Sequence, residues 1–209
     1  MYCPLCHTQS SVEYGTTGKV LFLKCHECAL VFKSIEFFPS EEKEKSRYLL
    51  HKNDVNDSKY QKFVAPIVSA ISKQYSTQSI GLDFGAGSGP VAAKLLKDKG
   101  YSIAFYDPFF YPNKEVLLTT YDFIICCEVM EHFHEPKKEF ELLRKLLKPK
   151  GRLYCMTQLL PTPAKFKDWN YKNDPTHVVF YSEENLTWIK EHFDFSEVNI
   201  ENRLIIFKQ

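Results

Sequence analysis

The sequence predicts an α/β fold with a mostly parallel sheet, preceded by a small module that folds around a metal ion. Three observations predict this. From about residue 58 onward, apolar segments of strand length alternate with amphipathic segments of helix length, the pattern of a parallel sheet with helices on both faces. The first of these strands runs into Gly85-Ala-Gly-Ser-Gly89, at the sheet edge where open α/β folds bind ligands. Two CxxC pairs, Cys3/Cys6 and Cys25/Cys28, precede everything else.

Bulk properties narrow the possibilities. A chain of 209 residues holds one α/β core and a small extra module, not two large domains. Lys+Arg total 27 against 26 Asp+Glu, so overall charge gives no pull toward nucleic acid or an anionic membrane. No apolar run approaches the ~20 residues of a bilayer span. The N-terminus lacks the basic and apolar regions of a signal peptide. Seven cysteines without a secretory signal point to reduced thiols and a cytoplasmic protein.

In residues 1–35, the spacing CxxC-x18-CxxC aims four thiols at one ion. Gly15 to Gly18 suit a hairpin turn between the knuckles, so Cys3, Cys6, Cys25 and Cys28 are the expected ligands of a structural zinc ribbon. Such a short segment cannot build a useful core alone, and metal would supply its folding energy. The ribbon could grip RNA or protein, help form an acceptor pocket, or brace the fold. Residues 36–57 are polar, with the run Glu41-Glu42-Lys43-Glu44-Lys45, and read as an exposed linker.

In the domain over 58–209, Tyr60, Phe63, Val64, Ile67, Val68, Ile71 and Tyr75 share a helical face, with Pro66 as a kink or restart. Ile80–Phe84 is a short buried strand, and Pro90 opens the helix after the glycine turn. Ser102–Tyr106 is the next strand. Tyr121–Cys127 is apolar enough to be buried on both faces. Pro136–Leu147 is a helix and Arg152–Thr157 a strand. Ser182 caps a helix with Glu183 and Glu184 in its first turn. Phe195–Ile200 and Leu204–Phe207 form an antiparallel hairpin. Cys126, Cys127 and Cys155 lie in strands as apolar residues.

The glycine turn suits close approach of backbone to a ligand. A dinucleotide fingerprint would need a third glycine where Pro90 stands. Asp83, two residues before the first glycine, suits a ligand carrying an ammonium group. Asp107, ending the second strand, can accept hydrogen bonds from ribose hydroxyls.

Leu82-Asp-Phe-Gly-Ala-Gly-Ser-Gly89, Tyr106-Asp107, Tyr121-Asp122-Phe-Ile-Ile followed by Glu128-Val-Met-Glu-His-Phe133, and Pro149-Lys-Gly-Arg-Leu153 occur in that order. Together they resemble the motifs of class I S-adenosylmethionine-dependent methyltransferases, over about residues 58–207. The resemblance implies a Rossmann-like sheet and S-adenosylmethionine as cofactor. It puts Asp83, Gly85, Ala86, Gly87, Gly89, Asp107, Pro108, Cys127 and Glu128 around that cofactor. One departure is the thirteen residues between Asp107 and Tyr121. Glu115–Thr119 could be a shortened third strand, with hardly room for the family's helix. Phe109, Phe110 or Tyr111 could then pack on the adenine, or be plain core.

On the acceptor side, Glu128, Glu131 and His132 resemble a segment linked to a divalent metal in ubiquinone-pathway O-methyltransferases. Here they are read as a wall of the cofactor pocket, because a metal needs a full set of converging ligands. Trp169-Asn-Tyr171 and Asp174-Pro-Thr-His177 fall in an insertion after the fifth strand, where a substrate lid is usual. His177, Asp174 and His132 are the candidate catalytic residues. His177 could act as a base oriented by Asp174, with Trp169 and Tyr171 stacking on a flat acceptor. Equally, His177 could satisfy a backbone carbonyl and the aromatics be core. The expected acceptor is a small molecule or glycan, methylated on oxygen or nitrogen. RNA gripped by the ribbon is the second expectation, and a non-catalytic adaptor the third.

Overall fold

The computed structural model describes residues 1–50 and 54–209; residues 51–53, inside the expected linker, lie outside the described residues. In the ribbon, β1 (Ser11–Thr17) and β2 (Val20–Cys25) form a hairpin, and β3 (Val31–Lys33) pairs antiparallel with β2. The expected linker holds helix α1 (Glu41–Leu49). Its charged composition hides an inward face, on which Glu44 is buried.

Helix α2 (Ser58–Gln74) buries Val64, Ile67, Val68 and Ile71 as the spacing predicts. It runs unbroken through Pro66, which lies on the exposed face. There water can satisfy the carbonyl one turn back that Pro66 leaves without a donor. Next come β4 (Ile80–Phe84), α3 (Val91–Asp98), β5 (Ser102–Tyr106) and β6 (Tyr121–Cys127). They are followed by α4 (Pro136–Leu146), β7 (Leu147–Met156) and the short α5 (Pro163–Phe166). Last are β8 (Val179–Phe180), α6 (Glu183–His192), β9 (Glu197–Glu201) and β10 (Leu204–Lys208). The large sheet has the order β5-β4-β6-β7-β10-β9. The first four strands are parallel, and β10 is antiparallel to both its neighbours.

Both faces of this sheet are apolar. Phe123 and Ile125 of β6 pack with Tyr154 and Met156 toward α2 and α3. The alternate residues, Ile124 and Cys126, pack with Leu153 and Cys155 toward α4 and α6. The two-residue period of a strand makes this division.

The sequence expectations need three corrections. Glu115–Thr119 is not a strand: Lys114–Leu118 is a 3₁₀ turn with Leu118 exposed, and β5 is the sheet edge. The segment is too short to return the chain alongside β5. Strand β7 begins at Leu147 rather than Arg152. The register shift between Tyr121 and Phe123 accommodates the extra residues around Pro149. The segment 36–57 is not simply an exposed linker, because α1 packs inward.

The ribbon is joined to the core by main chain. β3 pairs with β8, Val31 opposite Phe180 and Phe32 opposite Val179, so the ribbon sheet reads β1-β2-β3-β8. Asn185 Nδ2 donates to Cys28 O at 2.6 Å. Phe22, Val31, Phe166 and Phe180 fill the seam, with Tyr14 and Trp169 at its margin. Truncating Phe180, 1% exposed, should cost about 3–5 kcal/mol through lost burial and a residual cavity. Urea unfolding of Phe180→Ala measures this loss.

Candidate active site

The glycine turn is built by close backbone packing. Gly85 has φ +77, and a Cβ there would meet Val129 Cγ2 at 2.5 Å. Any side chain would clash and adopt a backbone conformation that suits only glycine. The Gly85 and Ala86 N–H groups donate to Tyr106 O at 2.8 and 3.1 Å. Asp107 ties the turn down from the other side. Its Oδ2 accepts from Gly87 N–H at 2.9 Å, and its Oδ1 from the N–H groups of Phe109 and Phe110 at 2.8 and 3.0 Å. A carboxylate has about four acceptor positions, so Asp107 organises both the turn and the 107–111 loop and keeps capacity for a ligand hydroxyl.

Asp83 lies beside this turn, 4% exposed, with no side-chain hydrogen bond among the described residues. Burial, with the Asp107 charge adding to it, pushes its carboxyl up to about 7. A buried carboxylate left in that state favours a cationic ligand.

The turn opens into a cleft of about 840 Å³ lined by Asp83, Gly85, Ala86, Gly87, Gly89, Asp107, Pro108, Cys127 and Glu128. The residues expected around a cofactor are thus brought together. Phe109 and Phe110 also line the cleft. Tyr111 instead packs on Phe105, with ring centroids 5.3 Å apart. Helix α1 closes one side of the cleft with Glu41, Glu44 and Tyr48. The Tyr48 ring meets those of His132 and Phe109 at 5.3 and 5.8 Å.

The far end of the cleft is polar and buried. Glu128 has φ +54 at the end of β6. Its Oε2 accepts from Arg203 at 2.6 Å, with Tyr171 Oη 3.3 Å away. Glu131 is fully buried, and its Oε1 accepts a short hydrogen bond from the Tyr171 hydroxyl. Burial pushes both carboxyls up to about 7; for Glu128 the Glu131 charge adds to the rise and Arg203 opposes it. Arg203, in the β9–β10 turn, was not singled out from the sequence. The only signal was its place beside Asn202 in a predicted turn.

His132 Nδ1 faces Thr176 O at 2.9 Å and His177 Nδ1 faces Tyr171 O at 2.7 Å. The rings are 4.8 Å apart. Burial, then the His132 charge, pulls His177 down to about 3, too low for an efficient general base at neutral pH.

Two expectations are corrected here. Asp174 does not orient the His177 ring. Its Oδ2 accepts from Arg47 at 2.7 Å, and its Oδ1 from the Thr176 hydroxyl and N–H at 2.6 and 3.0 Å. Burial alone would raise this carboxyl, but those hydrogen bonds hold it well below the usual range. Trp169 does not face the cleft. It packs among Phe166, Phe180 and Tyr171, and its Nε1–H donates to Gln158 at 2.8 Å. Tyr171, His132, His177 and Asp174 all line the cleft.

Residues 57–200 match a family model described as a methyltransferase domain. No curated protein matches the sequence significantly. Among solved structures, the chain is similar to Burkholderia thailandensis 1,6-didemethyltoxoflavin-N1-methyltransferase, solved with 1,6-didemethyltoxoflavin and S-adenosylhomocysteine bound. The TM-score is 0.54 at 12% identity, over 96% of this chain and 99% of that one. It is also similar to a SAM-dependent methyltransferase from Archaeoglobus fulgidus, with TM-score 0.52 and 16% identity over 70% of this chain and 94% of that one. At these identities the likeness is one of fold.

The raised Asp83 carboxyl carries a testable sign. The folded, ligand-free protein binds this proton more tightly than the unfolded chain, whose value is near 3.8. Ionisation above pH 7 therefore costs stability, and the cost disappears as pH falls toward 4. Asp83→Asn should raise the Tm of the ligand-free protein at pH 8 but not at pH 4. By calorimetry it should weaken S-adenosylmethionine binding at least about tenfold, the loss expected for one charge-assisted contact.

Proposed function

The chain belongs to the methyltransferase domain family, and from that premise we propose that it methylates a small-molecule or glycan-type acceptor on oxygen or nitrogen. The observation that carries this reading is the charge of the cleft wall. Glu41, Glu44, Asp83, Asp107, Glu128, Glu139 and Asp174 line it, against Arg203 as the sole Lys or Arg among the described residues. Such a wall offers a phosphate backbone no cluster of basic side chains to bind. A volume of about 840 Å³ is in the range of small-ligand pockets. The Burkholderia thailandensis enzyme of similar fold and length has a small heterocycle bound, which is compatible with the reading.

S-adenosylmethionine, when bound, supplies an activated methyl group. The glycine turn lining the cleft and the buried Asp83 carboxylate, without a side-chain hydrogen bond among the described residues, both fit it. Asp83 would meet the ammonium group and Asp107 the ribose hydroxyls, while Phe109 and Phe110 would offer apolar surface to the adenine. Tyr48, Tyr171, His132 and His177 would enclose the acceptor end, exclude water and align the acceptor for in-line attack.

The four cysteine sulfurs fit one zinc ion. Cys3 and Cys28 sulfurs are 3.5 Å apart, as are those of Cys6 and Cys25, and all four lie within 4.8 Å of one another. Zn–S bonds of about 2.3 Å in a tetrahedron need separations of about 3.8 Å. The ribbon's role in this reading is to hold the acceptor wall: Lys33 Nζ donates to Asp174 O at 2.7 Å, and its N–H to Val178 O at 2.8 Å.

Tritiated methyl from S-adenosylmethionine should enter the small-molecule fraction of a cell extract, and Asp83→Ala should abolish the transfer. Label confined to RNA, falling with added salt, would overturn the acceptor assignment. Cys25→Ser should lose the ribbon zinc by elemental analysis. It should also slow methyl transfer at least about tenfold, because the metal supplies the ribbon's folding energy.

A further inference from the structure

We propose that Glu131, His132 and His177 form a site for a divalent first-row transition metal at the acceptor end of the cleft, where the metal would hold the acceptor oxygen. Their ligand atoms lie within 4.8 Å of one another, and His132 Nε2 is 4.0 Å from Glu131 Oε1. A metal about 2.1 Å from each would draw these atoms to roughly 3.0–3.4 Å, a shift within side-chain adjustment. Two imidazoles and one carboxylate, with positions left open, are a recognised donor set for such metals.

The hydrogen bonds around the histidines fix their chemistry. Each Nδ1 faces a backbone carbonyl, Thr176 O or Tyr171 O. A carbonyl only accepts, so each Nδ1 carries the proton and each Nε2 keeps its lone pair. Neither Nε2 has a hydrogen bond among the described residues, and an Nδ1–H held by a backbone carbonyl is what orients metal-binding histidines. An independent observation comes from the carboxylate. Glu131 is fully buried, its Oε1 is held by Tyr171, and its Oε2 has no hydrogen-bond partner among the described residues. Main chain fixes the lid over this group, since Val178 N–H donates to Glu131 O at 2.9 Å.

The ligand set differs from the one the motif Glu128-x-x-Glu131-His132 suggests. Arg203 occupies Glu128, and His177, from a segment over forty residues later, completes the set.

This inference rests on the methyl-transfer reading and narrows the acceptor to one with an oxygen that can bind the metal. The metal would favour loss of the hydroxyl proton to solvent. The oxygen then forms its bond to the methyl carbon as the sulfonium–methyl bond breaks, with that electron pair staying on the sulfur of neutral S-adenosylhomocysteine. No side-chain base is needed.

The test is calorimetric titration of Co²⁺ into the full chain purified with zinc in its ribbon. Wild-type protein should bind one equivalent beyond the zinc. His177→Ala and Glu131→Gln should weaken that binding at least about tenfold, while keeping the ribbon zinc and S-adenosylmethionine binding that report an intact fold. The Co²⁺ absorption bands should be those of nitrogen and oxygen ligands, without the thiolate charge-transfer bands of a substituted ribbon. No second equivalent, or one the variants leave unchanged, would overturn the site. Methyl transfer to a small molecule without the second metal would sink the site and keep the function. Metal binding without any transfer would do the reverse.

Discussion

Two residues of backbone pairing organise this protein. Val179 and Phe180 complete a sheet whose other three strands belong to the N-terminal ribbon, so the ribbon cannot separate from the core without breaking main-chain hydrogen bonds. The same short strand ends the segment that walls the acceptor end of the cleft. Lys33, one residue past the pairing, reaches Asp174 O, and Asp174 in turn holds Arg47 of α1. A chain of contacts therefore runs from the cysteine tetrad through β3 and β8 to the helix beside the cleft. A module that looks separable in sequence is thus tied by main chain and side chains to the wall of the cleft.

The second constraint is electrostatic. Burial forces Asp83, Glu128 and Glu131 toward the neutral form, and Arg203 offsets only part of the charge they would carry. Such a group of acids in a poorly solvated cleft is most stable when a cation joins it. The sulfonium cofactor brings one positive charge to the glycine turn, and a metal ion would bring more to the acceptor end. In the proposed function, the shortage of basic side chains along the same wall is what separates a small-molecule acceptor from a phosphate-rich one.

The shortened region after Asp107 shows how a fold tolerates lost elements. Without a third parallel strand the sheet ends at β5. The 107–111 loop, pinned by two of its own N–H groups on the Asp107 carboxylate and tied through it to Gly87, lines part of the cleft. Tyr48 of α1 packs against Phe109 from outside. A segment before the domain thus replaces a helix and strand within it.

Periodicity and local chemistry were sufficient for the sheet, its helices, the glycine turn and the cysteine spacing. Strands with apolar residues on both faces, a proline opening a helix and a serine capping another are choices made within a few residues. Tertiary structure decided which distant groups meet. Arg47 and Asp174 are 127 residues apart in sequence, so the expected Asp174–His177 pairing lost to a partner that no local pattern could reveal. Trp169 faced the ribbon seam instead of the cleft because β8 pairs with β3. Helix α1 was hidden by its charged composition, since one buried face of Glu44 and Tyr48 has no meaning until the cleft is formed. His177 meets Glu131 and His132 through long-range contacts such as Val178 N–H to Glu131 O and His132 Nδ1 to Thr176 O. Sequence sets conformation where interactions are short-range; the partner of a buried charge is set by long-range packing, and the chemistry of this cleft depends on those partners.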